Sequence, residues 1–444
     1  CYYNQYLQNS IEDKLRSTID NVDTNFAFNI LVSATRSSST IKMSRLTFLL
    51  ICGLIPSLLA QCVVKKTEPL FKRSVYEFSV DLITRIAQEK ENHFVTSTLS
   101  TWILLTCTSL GASETTLAEL KQVLKLENKK CFNNNYLKLA SRITNNNNSD
   151  VVLERSASVY VDSKLDVKNN FKQRISKYGV SQIETISFDD SDKAAQYIND
   201  FASRATHDTI DDVVSPGDLD DVVMVIIDAI YFKGSWQTPF VYEQTVQDAF
   251  YNERDIQIGD VNLMHVTGLF NTIIIHKINA KVLELPYGKN NQYSMLVFLP
   301  IEHTSLYSVI ENLKSISLST ISKLFKELGP HTVSVQMPRF KITSDLNNLR
   351  ELLVDMGLKT MFDSSQAQFP EISNYPLYVS NCVQKADIEV TEEGTVASAV
   401  TVEEFEFRSM PDEFIANRPF LFMIIDKKAE VPIFTGAYSK PSLF

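Results

Sequence analysis

The chain has no basic tract, no CxxC pair and no internal repeat, and each absence closes off a class of protein. A net charge of −10 without clustered cations argues against a general nucleic-acid binder, while leaving room for a local basic patch. Nothing after residue 70 reads as a Pro/Gly/Ser-rich linker. One large domain is therefore expected, although 444 residues would admit two or three. GxSxG, P-loop, GxGxxG, HExxH and zinc-type Cys/His spacings are all missing. The six histidines, His93, His207, His265, His276, His303 and His331, are scattered as surface or ordinary buried residues would be. No active site emerges, so an enzyme is not expected, nor any cofactor or metal. Acidic pairs such as Asp189-Asp190 and Asp220-Asp221 read as solvated turns.

Long apolar runs are missing as well. Leu46 to Ala60 spans fifteen residues and contains Pro56, which is short for a membrane span. Preceded by Met43 and Arg45, and ending on a small residue, it has the form of a secretory signal peptide. The expected organisation is residues 1–42 as an upstream segment outside the working protein and 43–60 as the signal peptide. A short N-terminal segment at 61–68 then leads into the main domain at 69–444. The mature protein is expected to be secreted and extracellular, with no membrane association. Cleavage would remove Cys1 and Cys52; Cys62, Cys107, Cys131 and Cys382 read as free, mostly buried thiols, any pairing being left open. Asn147-Asn148-Ser149 makes Asn147 the candidate glycosylation site.

Hydrophobic periodicity supplies the elements. Phe71, Val75, Phe78, Leu82 and Ile86 recur at helical spacing, and Ser97 to Leu110 is apolar nearly all round, as a buried helix would be, before Gly111. Further helices are expected from Ser113 through Leu124, from Ala194 to Ala205 with Ile198 and Phe201 on the apolar side, and through Leu346, Leu349, Leu353 and Met356. Val222 to Phe232 is a near-continuous apolar run enclosing Asp228, the mark of a central strand covered on both faces. Val151 to Val161 is rich in β-formers. Lys281 to Leu285 and Tyr293 to Leu299 read as a hairpin, and Arg418 to Asp426 and Pro432 to Tyr438 as strands. Helices and strands mixed without βαβ alternation predict an α+β fold.

The stretch from Lys385 to Arg418 is unusual. A strand-like run, Ile388 to Thr391, turns acidic at Glu392-Glu393 and meets Gly394, a residue suited to a hinge. Thr395 to Val402 then holds eight small or β-branched residues without a charge, and Glu403-Glu404 and Arg408-Ser409-Met410-Pro411 follow as loop. An uncharged β-former left in an exposed segment is an aggregation liability. Its retention points to a segment that must become a strand, the local alternative being an ordinary hairpin strand before an acidic loop.

The hinge EEGT followed by small residues resembles the reactive-centre loop of the serpins, and FIANRPFLFMI (Phe414 to Ile424) resembles the segment after it. DAIYFKGSW (Asp228 to Trp236), VLELPY (Val282 to Tyr287), YSMLVFLP (Tyr293 to Pro300) and MPRFKI (Met337 to Ile342) match the same family in its order, over about Pro69 to Pro441. The resemblance implies a single α+β domain with a large mixed β-sheet, further sheets, eight or nine helices, and a reactive-centre loop at about 392–416. It also implies a monomeric suicide inhibitor of serine proteases. Such a protein is cleaved in the loop and then traps the acyl-enzyme by inserting the loop as a strand. The family's cut lies fourteen residues after the hinge glycine, between Arg408 and Ser409, and Arg408 suits a trypsin-like protease; Phe407 would suit a chymotrypsin-like one after a slip of one residue. The hinge comprises Glu392, Glu393, Gly394 and Thr395. Ala397, Ala399 and Thr401 share the inserting face with Thr395, and all four are compact. A non-inhibitory carrier, storage or substrate-like serpin is the alternative.

Family alignment sets Ser97 and Ser100 beneath the point where the sheet opens. Asp228 and Gln384 stand where the family has Asn and His, so that an Asp–Gln hydrogen bond is expected there. Ile198 to Ile210 departs from the family, with Phe201 for Trp and Asp208-Thr209 for Gly-Lys. Lys121, Lys125, Lys129 and Lys130 lie where some serpins bind heparin, making a polyanionic glycan a possible partner beside the alternative of a plain solvated face.

Overall fold

A computed structural model describes residues 64–144, 151–206, 208–395 and 411–444. Residues 1–63, with the expected signal peptide and Cys62, lie outside that set. So do Asn147, the loop residues Ala397, Ala399, Thr401, Arg408 and Ser409, and the side chains of Lys130 and Cys131. The chain divides into two compact units, Cys1–Leu70 with Glu127–Tyr136, and Phe71–Leu126 with Leu137–Phe444. In the first, Asn135 Nδ2 donates to Thr67 Oγ1 at 3.3 Å. Both sheets and the site described below lie in the second.

Among the described residues are nine α-helices and two sheets. The six-stranded sheet runs in the order Phe340–Leu346, Asn381–Val390, Met224–Ser235, Val151–Asp162, Gln182–Ile186, and a two-residue strand, Gly394–Thr395, pairs with Met224–Ser235 off this path. Met224–Ser235 is central, as its apolar run predicts, antiparallel to Val151–Asp162 and parallel to Asn381–Val390. The larger sheet carries the expected hairpin, Ala280–Tyr287 with Tyr293–Pro300, followed by Phe420–Asp426 and Val431–Tyr438. Its other arm holds Gln257–Ile275, His331–Pro338 and Asp412–Ile415.

Behind the six-stranded sheet lies the helix Thr98–Ser109, capped by the Ser97 hydroxyl and buried at all twelve positions. A helix without a polar face must be covered on every side, and that coverage fixes it as the floor on which the sheet rests. Two expectations need correction. Leu346 ends a strand, and the last helix is confined to Leu349–Asp355, because cross-strand pairing of Leu346 with Gln384 captures that residue. In Ser191–Ala205, Ile198 is buried but Phe201 stays half-buried. The small residues Ala194, Ala195 and Ala202 pack against the sheet with Ile198.

Candidate functional site

The hinge is built from a two-residue turn. Thr391 N donates to Gly394 O at 2.8 Å and Gly394 N to Thr391 O at 3.2 Å, so that Glu392 and Glu393 form the tip. Gly394 has φ +146°, and a Cβ there would stand 2.2 Å from Gly234 O and 2.6 Å from Ser235 Cα. Only glycine lets the chain lie this close to the neighbouring backbone. Past the turn, Gly394 pairs with Ser235 and Thr395 with Gly234, antiparallel. Pairing between Asn381–Val390 and the same edge of Met224–Ser235 ends at Ala386 opposite Ile230. The hinge strand therefore already occupies the head of the seam between these two parallel strands.

Thr395 is 1% exposed, and its hydroxyl lies 3.0 Å from that of Tyr287. Of the residues expected on the inserting face, Thr395 is thus already paired in the sheet. Trp236 stacks on Tyr287 with ring centroids 4.3 Å apart and donates through Nε1 to Thr391 O at 3.0 Å. The backbone amides of Trp236 and Phe240 donate to Glu393 O (2.9 Å) and Glu392 O (2.8 Å). Glu392 is buried, its carboxylate accepting from Thr245 Oγ1 at 2.7 Å with Arg339 Nη1 3.6 Å away. A carboxylate can be buried there because both a hydroxyl and a guanidinium compensate it. On the far side of residues 396–410, Asp412–Ile415 pairs with His331–Pro338, and His331 Nε2 lies 3.0 Å from Asp412 Oδ2.

Beneath the seam, Ser97, Ser100, Asp228 and Gln384 converge. Gln384 Nε2 donates to Asp228 Oδ2 at 2.7 Å and to Ser97 O at 2.9 Å. Gln384 Oε1 accepts from Thr96 Oγ1 (2.5 Å) and Ser97 N (3.0 Å). Ser97 Oγ donates to Ile433 O, and Ser100 Oγ to Asp228 Oδ1. Sequence reasoning missed the fifth member. Arg155 Nε donates to Ser100 Oγ and lies 3.6 Å from Asp228 Oδ1, with the Arg155 side chain 5% exposed and that of Asp228 2%. Burial holds the Asp228 carboxyl above the usual carboxylate range, opposed by Arg155 and by the bonds from Ser100 and Gln384. Burial also pushes the thiols of Cys107 and Cys382 up, the former to about 12, and both are free. The signal available in sequence was one cation in the Val151 to Val161 run and one anion in Val222 to Phe232. Glu154 beside Arg155 masks it.

Lys125 lies 3.7 Å from Asp81, which also holds Lys314 at 3.2 Å. Among the described residues, no group of three or more His, Cys, Asp or Glu could hold a metal, and no helix is long and apolar enough to cross a membrane.

Comparison with known proteins gives one answer. Residues 73–441 match the family model described as "Serpin (serine protease inhibitor)". The chain is 33% identical to human glia-derived nexin over 310 residues, 68% of this chain and 77% of the nexin. Its fold superposes on serine protease inhibitor (Serpin)-12 of Manduca sexta with a TM-score of 0.72 and 26% identity, covering 83% of this chain and 98% of that one. Native protease nexin-1 with heparin gives 0.74 and 27%, covering 84% and 100%.

Proposed function

Because the chain belongs to the serpin family of serine protease inhibitors, we propose that it is a secreted suicide inhibitor of trypsin-like proteases, cut between Arg408 and Ser409. The observation that carries this reading is the hinge strand, already paired at the head of a seam between two parallel strands and antiparallel to both. A loop freed at Arg408 has a strand position to continue into. Continued at the register of the two existing pairs, it would bring Thr401 opposite Asp228, with Ala397 and Ala399 on the same face as Thr395. Insertion of about thirteen residues at roughly 3.3 Å each would draw the tethered protease some 40 Å. Strain on its catalytic serine would disturb the oxyanion hole, where loss of one donor costs roughly 10²–10³ in rate. The acyl-enzyme would then outlive the chemistry that should release it.

Export through the Met43 to Ala60 signal and glycosylation at Asn147 belong to the same proposal, and N-terminal sequencing of the exported protein tests the first. A polyanionic glycan is a further proposed partner, through Lys121 and Lys125, with Lys129 and Lys130 the other lysines of that stretch. The deciding experiment incubates the protein with trypsin, chymotrypsin and elastase, with and without heparin, and reads a denaturing gel. A covalent complex with trypsin that is lost in Arg408→Ala is expected. Cleavage without any complex would favour the non-inhibitory alternative, and an undiminished complex in Arg408→Ala would move the reactive bond elsewhere.

A further inference from the structure

The seam that must open lies between Asn381–Val390 and Met224–Ser235, and side chains cross it beneath the hinge. Gln384 belongs to one strand and Asp228 to the other, paired at Cα level. Apart from Asp228, the partners of Gln384 are Thr96, Ser97 and Thr101, around the start of the Thr98–Ser109 helix. Apart from Gln384, the partners of Asp228 are Ser100 and Arg155. Arg155 in turn belongs to Val151–Asp162, on the opposite edge of Met224–Ser235 from the seam. Its Nη2 donates to Ser100 O at 3.1 Å and its Nη1 to Val180 O, so the guanidinium is held independently of Gln384.

From this partition we infer that Arg155 is a positioning residue for loop insertion, the counter-ion that allows the seam to open around a charged Asp228. The inference rests on the trapping mechanism proposed above. When the strands part, the Gln384–Asp228 bond breaks; Asp228 keeps the Arg155 cation, carried by the strand paired to its own, and Gln384 keeps its partners at the start of the helix. Without Arg155, parting would leave a buried carboxylate with Ser100 alone, and an uncompensated buried charge is strongly unfavourable. The charge is therefore tolerated because its partner sits on the side of the seam that does not move away.

The test uses Arg155→Met, Asp228→Asn and the double variant in the full-length protein, none of which alters Arg408. With trypsin, Arg155→Met is expected to shift partition at least tenfold from covalent complex towards cleaved, released inhibitor, at an unchanged site of cleavage. Adding Asp228→Asn removes the stranded charge and should return partition to within about twofold of the parent, a rescue that mere loss of packing would not permit. Full trapping by Arg155→Met, or a defect that Asp228→Asn leaves untouched, overturns the inference. If Arg155→Met fails to fold, the double variant should fold and trap; its failure would reduce Arg155 to a packing role. Urea unfolding of the four proteins separates the two readings. The double variant's unfolding constant should depart at least tenfold from the product of the single effects, whether or not a complex forms. Coupling with no complex in the parent would sink the trapping mechanism and the positioning role with it. Additivity together with a normal complex would sink the counter-ion alone.

Discussion

Gly394→Ala adds one methyl at the point where the hinge touches its neighbour. The new Cβ would lie 2.2 Å from Gly234 O, 2.6 Å from Ser235 Cα and 2.9 Å from Trp236 N, all backbone atoms of the central sheet and its continuation. None can turn aside as a side-chain tip could, and φ +146° is itself hostile to an L-residue. The hinge should therefore leave the sheet. Undocking forfeits the Trp236 N–Glu393 O, Phe240 N–Glu392 O, Trp236 Nε1–Thr391 O and Tyr287–Thr395 bonds. At about 0.5–1.5 kcal/mol net for each hydrogen bond, the expected loss from these four is about 2–6 kcal/mol. Trp236 is one of two tryptophans, both buried, and its Nε1 bonds the hinge. Acrylamide quenching should therefore rise along with a fall in the urea midpoint. In the trapping reaction the variant should be cleaved and released, since the inserted strand would need the same contact. An unchanged midpoint with no added quenching would mean that the hinge is not docked on Gly234.

Two further outcomes are expected. Thr395→Arg would place a cation at a position 1% exposed beside the Tyr287 hydroxyl, where an unpaired buried charge costs several kcal/mol. Trypsin should cut this variant after Arg408 and be released, and trapping equal to the parent would refute insertion from this hinge. His93 Nδ1 accepts from Ser439 N (3.3 Å) and Lys440 N (3.2 Å), and burial together with the Lys440 charge holds its pKa below 6.5. The unfolded chain takes up that proton more readily, so this contribution to stability is present above about pH 6.5 and is lost as the pH falls below it. His93→Gln should flatten the pH dependence of the unfolding free energy between about pH 7 and 5, and parallel curves for parent and variant would count against the assignment.

Much of this protein is written locally. The uninterrupted apolar run around Asp228 can only be satisfied by cover on both faces, and it forms the central strand. Ser97 before a helix apolar all round becomes both cap and floor. Gly394 stands out locally between an acidic pair and a run of small residues, and the structure adds why a side chain does not fit there. Periodicity records how each segment meets its own surroundings, and so it survives reading one stretch at a time.

Partners distant in the chain leave no such record. Thr96 and Gln384 meet across 288 positions, and nothing local to either predicts the bond. The sequence by itself determined that Asp228 would be buried and that Gln384 would lie near it in the family's arrangement. Only the tertiary structure decided that Arg155 compensates the charge, because the pairing of Val151–Asp162 with Met224–Ser235 is what brings the two side chains together. The same holds for Glu392, which reads in sequence as part of an acidic turn. Its burial depends on Thr245 and Arg339 arriving from two other parts of the chain. Thr395 likewise reads as a strand residue, but its docking required a vacant edge on Met224–Ser235 beyond Ile230, which is a property of strand order and register rather than of any residue in the hinge.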